Sequence, residues 1–206
     1  VISLSATPIP RTLNLSLSKV RDISLITTPP TGRKSVKTIV SRYSKSLVFE
    51  AIQREFYRDG QVFYLLNNVS MLEEKKKEIS DRFPGKTIAF AHGQLRPKEL
   101  SKVMQSFIRK EIDLLVCTTI IESGIDIENA NTLIVEESEN YGLSQLHQIR
   151  GRVGRSKREA YAYFLLNENK ELKNKASERI NALQENESLL SGFSLAMRDL
   201  EIRGAG

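Results

Sequence analysis

Six short, strongly apolar runs, most of them separated by stretches of helical periodicity, constrain this chain more than any other feature. They are VKTIVSRY (Val36 to Tyr43), QVFYLLNN (Gln61 to Asn68), TIAFAHG (Thr87 to Gly93), LLVCTT (Leu114 to Thr119), NTLIVEE (Asn131 to Glu137) and AYAYFLLN (Ala160 to Asn167). Several are almost continuously apolar, as strands buried on both faces of a parallel sheet must be, because neither face meets water. Between them, apolar residues recur at close to 3.6-residue spacing over Lys45 to Arg58, Met71 to Phe83, Pro97 to Lys110 and Leu143 to about Gly151. Gly60 and the pair Pro84 and Gly85 read as stop signals. The alternation predicts an α/β fold: a doubly wound, mostly parallel sheet flanked by helices, with right-handed crossovers.

Two flanks fall outside that pattern. Residues 1–28 read as a strand end, a turn and a helix, the tail of a preceding domain, and Pro29, Pro30 and Gly32 read as a linker. Residues 29–167 hold the alternating core, and 168–206 a charged helical hairpin ending in GFSLAMRDLEIRGAG. Val1 opens inside what reads as a strand, as expected of a piece of a longer chain. Charged residues at 27% and hydrophobic ones at 40% describe a globular chain, and a formal charge of +6 hints at a polyanionic partner. The single cysteine, Cys117, lies in an apolar run; it excludes an internal disulfide, reads as core, and with the lack of a signal peptide suggests a reducing, cytoplasmic setting. Two distant histidines offer no metal-ligand spacing, and no apolar run approaches the ~20 residues of a membrane span. The run EEKKKE (Glu73 to Glu78) reads as a solvated helix face.

In sheets of this type ligands bind beyond the carboxyl ends of the strands. Those ends carry Asn67 and Asn68, His92 and Gly93, Thr118 and Thr119, and Glu136 and Glu137. PGKT (Pro84 to Thr87) looks like the end of a phosphate-binding loop, but Ser80 stands where the loop needs its first glycine, and a helix precedes it where a strand should. The chain is therefore expected to lack a triphosphate cradle of its own. LHQIRGRVGRS (Leu146 to Ser156) packs Arg150, Arg152 and Arg155 together without neutralising acids. Arg152 and Arg155 lie three apart, near one helical turn, so both can project one way, with Gly151 and Gly154 permitting close approach. Guanidinium forks suit phosphoryl oxygens, either of a nucleotide or of a nucleic-acid backbone, and spacing alone leaves the two open. In VCTTIIESGIDI (Val116 to Ile127), threonine hydroxyls follow a buried strand, Gly124 turns the chain, and Asp126 sits between isoleucines, either as a ribose-hydroxyl acceptor or as a turn aspartate.

Taken in order, SATPIPRTL, AFAHGQLRPKEL, VCTTIIESGIDIENANTLIV and QLHQIRGRVGR resemble the motifs of a superfamily 2 helicase or translocase from motif III to motif VI. Within that group the chain is most similar to the second RecA-like lobe of the bacterial transcription-repair coupling factors, with the fork-reversing RecG helicases as a near relative. The resemblance implies arginine fingers at Arg152 and Arg155, with Gln148 on the same nucleotide-facing surface. It implies nucleotide-sugar contacts at Gly124 and Asp126, and nucleic-acid backbone contacts at Thr118, Thr119, His92, Gly93 and Gln94. Ser5, Ala6 and Thr7 match motif III, which couples hydrolysis to movement, and Arg198 and Arg203 match a translocation motif whose loop is cut short at Gly206. The implied cofactor is ATP with Mg²⁺, held mainly by a first lobe. The implied partners are double-stranded DNA and, through other domains, RNA polymerase and excision-repair proteins. A RecG-like lobe, a non-catalytic DNA-binding module and, remotely, a self-contained nucleotide-binding enzyme are the rival readings.

Overall fold

The computed structural model describes residues 36–118, 129–154 and 158–168. They form one six-stranded sheet of β1 (Val36–Arg42), β2 (Gln61–Leu65), β3 (Ile88–Ala91), β4 (Leu114–Cys117), β5 (Ala130–Val135) and β6 (Ala160–Leu166), in the order β1-β6-β5-β2-β4-β3. Every adjacent pair runs parallel. Four helices cover it: α1 (Lys45–Tyr57), α2 (Leu72–Arg82), α3 (Pro97–Ile108) and α4 (Leu143–Arg150). Single 3₁₀ turns at Val69–Met71 and Ser138–Asn140 precede α2 and α4. The doubly wound α/β architecture expected from the apolar runs, RecA-like as the resemblance implies, is thus present, and each element lies within a few residues of its expected span.

Central strands β2 and β5 are buried at every residue, which is why their sequences carry no polar alternation. Successive side chains of β2 serve opposite faces. Val62 and Tyr64 pack with Val48, Ile52 and Phe56 of α1 and with Ile79 of α2. Phe63 and Leu65 pack with Phe107 of α3 and with Leu143, Leu146 and Ile149 of α4. Connections that step one way along the sheet, β1 to β2 and β2 to β3, put their helices on one face; those that step back, β3 to β4 and β5 to β6, put theirs on the other. A uniform crossover hand requires that division.

Two local features refine the sequence reading. At the end of α1 it is Asp59 that takes the left-handed backbone, at φ 53°, while Gly60 makes room: a β-carbon there would lie 1.6 Å from Glu55 Oε1. That carboxylate is fully buried, and its Oε2 accepts from the Thr132 hydroxyl at 2.5 Å and from Arg58 Nε at 3.0 Å. Cys117 is buried, and burial pushes its thiol well above the ordinary range, as a packing residue without nucleophilic character requires. Residues 1–28 and nearly all of 168–206, with Ser5, Ala6, Thr7, Arg198 and Arg203, lie outside the described residues. Among the described residues, no helix is long and apolar enough to cross a membrane.

Candidate functional site

At the carboxyl edge, β3 and β4 deliver the first group of expected site residues. The Thr118 amide donates to the Ala91 carbonyl at 3.3 Å, so Thr118 and His92 follow the ends of neighbouring strands, about 4.8 Å apart in the ladder direction. A turn closed by the Leu95 amide on the His92 carbonyl, at 3.1 Å, presents Gly93 and Gln94 to solvent. The space a side chain would fill at Gly93 is open. The His92 ring lies parallel to Phe90, centroids 6.2 Å apart, and its Nδ1 is buried without a partner among the described residues. Only Nε2 is therefore left to serve an external ligand. Thr119, Gly124 and Asp126 lie outside the described residues.

Asn68 and Glu136, at the same edge, are already engaged. Asn68 Oδ1 accepts from the Ser70 amide and hydroxyl at 3.0 and 2.8 Å and so caps the first 3₁₀ turn. Glu136 accepts from the buried Tyr64 hydroxyl and pairs with Lys75 Nζ at 3.0 Å. Lys75 also donates to the Tyr43 hydroxyl at 3.1 Å and reaches Glu78 at 3.0 Å, and Glu78 in turn pairs with Lys45 at 2.7 Å. Tyr43, Lys75 and Glu136 rim a cavity of about 260 Å³ that also meets Met71, Glu137, Leu166, Asn167 and Glu168. Burial alone would pull the Lys75 ammonium down, but Glu136 above all, with Tyr43 and Glu78, holds it above the usual lysine range. Burial likewise works to raise the Glu78 carboxyl, and the two lysines outweigh it, leaving it below the usual range. Burial and Glu136 both push the Tyr64 phenol up.

Lys75 corrects the reading of EEKKKE as a solvated face, since it is 8% exposed. The missed signal was its register with Leu72 and Ile79, which places it on the apolar stripe of α2.

A second group gathers at the opposite, amino edge. Gln148 is exposed in the last turn of α4, whereas Arg150 is buried, donating to the Thr38 hydroxyl on β1 at 3.3 Å and meeting His147 Nδ1 at 3.2 Å. A guanidinium only donates, so His147 Nδ1 accepts and the neutral ring carries its proton on Nε2. Arg150 is thus a bolt between α4 and β1. Arg152 is half-buried in the turn that follows, its amide on the Ile149 carbonyl at 3.0 Å.

Arg152 lies in the turn beyond α4, where the helical periodicity is expected to stop. The helix ends at Arg150, and Gly154 takes φ 74° with its amide on the Ala130 carbonyl at 3.3 Å. A β-carbon at Gly154 would lie 2.8 Å from Ala160 Cβ and 3.0 Å from Val36 Cγ2. Close packing of this turn on the starts of β1, β5 and β6 is what demands the glycine. Arg155 itself lies outside the described residues.

His92, Gly93, Gln94 and Thr118 therefore lie at the carboxyl edge, and Gln148 and Arg152 at the amino edge. About 20 Å, the length of a six-residue strand, separates the two groups. Among the described residues, no three His, Cys, Asp or Glu side chains are placed to share a metal ion.

The model for the helicase conserved C-terminal domain matches residues 45–157, more than half the chain. The chain belongs to the helicase conserved C-terminal domain family. This helicase domain is 54% identical over 206 residues to a transcription-repair-coupling factor of Staphylococcus haemolyticus (strain JCSC1435), covering 100% of this chain and 18% of the relative. It is 53% identical, with the same coverage, to the factor of that name from Staphylococcus aureus (strain USA300). The chain thus spans about a fifth of the length of these curated relatives. Among solved structures, RecG bound to a three-way DNA junction is similar at TM-score 0.80 and 35% identity, covering 97% of this chain and 26% of that one.

Proposed function

We propose that this helicase domain is the second RecA-like motor lobe, residues 29–167, of an ATP-dependent double-stranded DNA translocase acting in transcription-coupled repair. Residues 1–28 close the first lobe, and 168–206 form a helical hairpin and translocation motif. Identity of 54% along the whole chain to a relative bearing the coupling factor's name carries the reading. The geometry supports it from a second side, because a phosphate-seeking guanidinium at one edge and an open, hydroxyl- and imidazole-bearing turn at the other suit two different anions.

In this reading ATP lies between the two lobes. The first lobe holds its phosphates and Mg²⁺. Arg152 and Arg155 reach the γ-phosphate, Gln148 faces the same nucleotide, and Gly124 and Asp126 meet its sugar. His92, Gly93, Gln94, Thr118 and Thr119 grip the DNA backbone, so binding is independent of sequence and weakened by salt. Hydrolysis removes the charge that draws the arginines across the cleft, the lobes part about the Pro29 to Gly32 linker, and motif III (Ser5, Ala6, Thr7) with Arg198 and Arg203 turns that motion into translocation. The whole protein then displaces stalled RNA polymerase and recruits excision-repair proteins in the cytoplasm.

The test is Arg155→Ala in the intact protein. DNA-stimulated ATP hydrolysis falls by about 10³ or more while ATP binding persists, and near-normal turnover removes the finger assignment. The likeness to RecG favours a second reading, a fork-reversing helicase lobe. Displacement of a stalled polymerase by the intact protein, compared with reversal of a model fork, separates the two.

A further inference from the structure

Helix α3 leaves the carboxyl edge directly after the His92 turn, with Arg96 at its N-cap and Pro97 opening the first turn. Its buried side is set by Met104 and Phe107. On the far side, Lys98, Lys102, Gln105 and Arg109 are all exposed. At 3.6 residues per turn these four fall within about 60° around the axis and span about 16 Å along it. The result is a straight row of cations with one amide among them. None of Arg96, Lys98, Lys102 and Arg109 makes an ion pair or a side-chain hydrogen bond among the described residues. The acids nearest in sequence are Glu99, in the first turn but a residue off the row, and Glu111, beyond the helix. On α2 the opposite holds, where Lys75 is tied to Glu78 and Glu136.

We propose that Arg96, Lys98, Lys102 and Arg109 form a phosphate track for one strand of duplex DNA, extending the backbone contacts of His92 and Thr118 down the flank of the lobe. The inference rests on the DNA-translocase reading above and extends it from the motif AFAHGQLRPKEL, which holds Arg96 and Lys98, to Lys102 and Arg109 beyond it. Chemistry selects the occupant. A single strand needs aromatic platforms for its bases, and the row has none. A protein partner needs an apolar or aromatic anchor, and the row has none of those either. A row of point charges suits phosphates, and its length of about 16 Å matches a short stretch of one strand's backbone, whose phosphates rise about 3.4 Å each along the duplex axis.

The experiment uses the intact protein and a fluorescein-labelled duplex of mixed sequence, with anisotropy titrations between about 50 and 200 mM salt. The triple substitution Lys98→Ala, Lys102→Ala, Arg109→Ala should weaken binding equally across sequences. It should also make the slope of log K against log[salt] shallower by about 0.9 per cation removed, 2 to 3 in all. Lys98→Arg with Lys102→Arg should keep the wild-type slope, and so should Lys77→Ala on α2. All three substituted side chains are exposed, and an unchanged thermal midpoint in the triple variant confirms the fold. A wild-type slope in that variant overturns the track while leaving the motor-lobe reading intact. Failure of the wild-type protein to bind the duplex at all removes that reading, and the track with it.

Discussion

Toward the carboxyl edge, the two halves of the sheet use cations in opposite ways. In the β1–β6–β5 half, charges are answered from within: Lys75 joins Glu136, Glu78 and Tyr43 at the carboxyl edge, and Arg150 is bolted to Thr38 at the amino edge. In the β4–β3 half, Lys86 pairs with Asp113 at the amino edge, but toward the carboxyl edge Gly93 and Gln94 stand exposed at the tip of a turn, and Lys98, Lys102 and Arg109 make no ion pair among the described residues. Burial explains the difference. Charges taken out of water must be paired internally, whereas charges left in water are free to be neutralised by an external anion. The first half is a frame that holds the turn carrying Arg152, and the second is a surface.

The contrast can be broken most sharply at Lys75. Lys75→Met leaves Glu136 as an uncompensated, nearly buried carboxylate and should cost about 3 kcal/mol in urea denaturation, with a large part recovered in the double variant Lys75→Met, Glu136→Gln. A cost below about 0.5 kcal/mol would place Lys75 with ordinary surface residues. Next comes Gly154→Ala, which forces a side chain onto Ala160 and Val36 in a left-handed conformation; a loss of about 2 kcal/mol is expected in the same assay.

A smaller effect lies in the pH dependence. Glu78 is held below the usual carboxyl range, so its contribution is complete above the unfolded value near ~4.3 and is lost as pH falls through the lower folded value. Lys75 is held above the lysine range, so its contribution is complete below ~10.4 and lost only at higher pH. Thermal midpoints should therefore be level between those limits and fall on the acid side, and Glu78→Gln should flatten that acid arm. The smallest change belongs to the open half: Gly93→Ala should leave stability within about 0.5 kcal/mol, because the space it enters is empty. If Gly93→Ala nonetheless weakens duplex binding by the intact protein, the surface role of this turn is sharpened.

Much of this fold could be read in the chain beforehand. Runs such as QVFYLLNN and NTLIVEE announce parallel strands because burial on both faces removes polar alternation, and Pro97 announces the start of α3 because its ring suits only the first helical turn. The site was less legible. His92, Gly93, Gln94 and Thr118 come together as strand order suggests, but Lys75 hid inside EEKKKE, where composition spoke of solvent and only helical register spoke of the core.

By itself, then, the sequence determined the alternation of strand and helix, the membership in a helicase family and the residue types able to meet phosphates. Those are local properties of periodicity and side-chain chemistry. Tertiary structure alone decided that Arg150 is a bolt, that Gly60 and Gly154 make room for neighbours, and that Lys75 is neutralised from within while the cations of α3 make no ion pair among the described residues. Each of these depends on which residues distant in the chain become neighbours, and a linear pattern carries no record of the space between them.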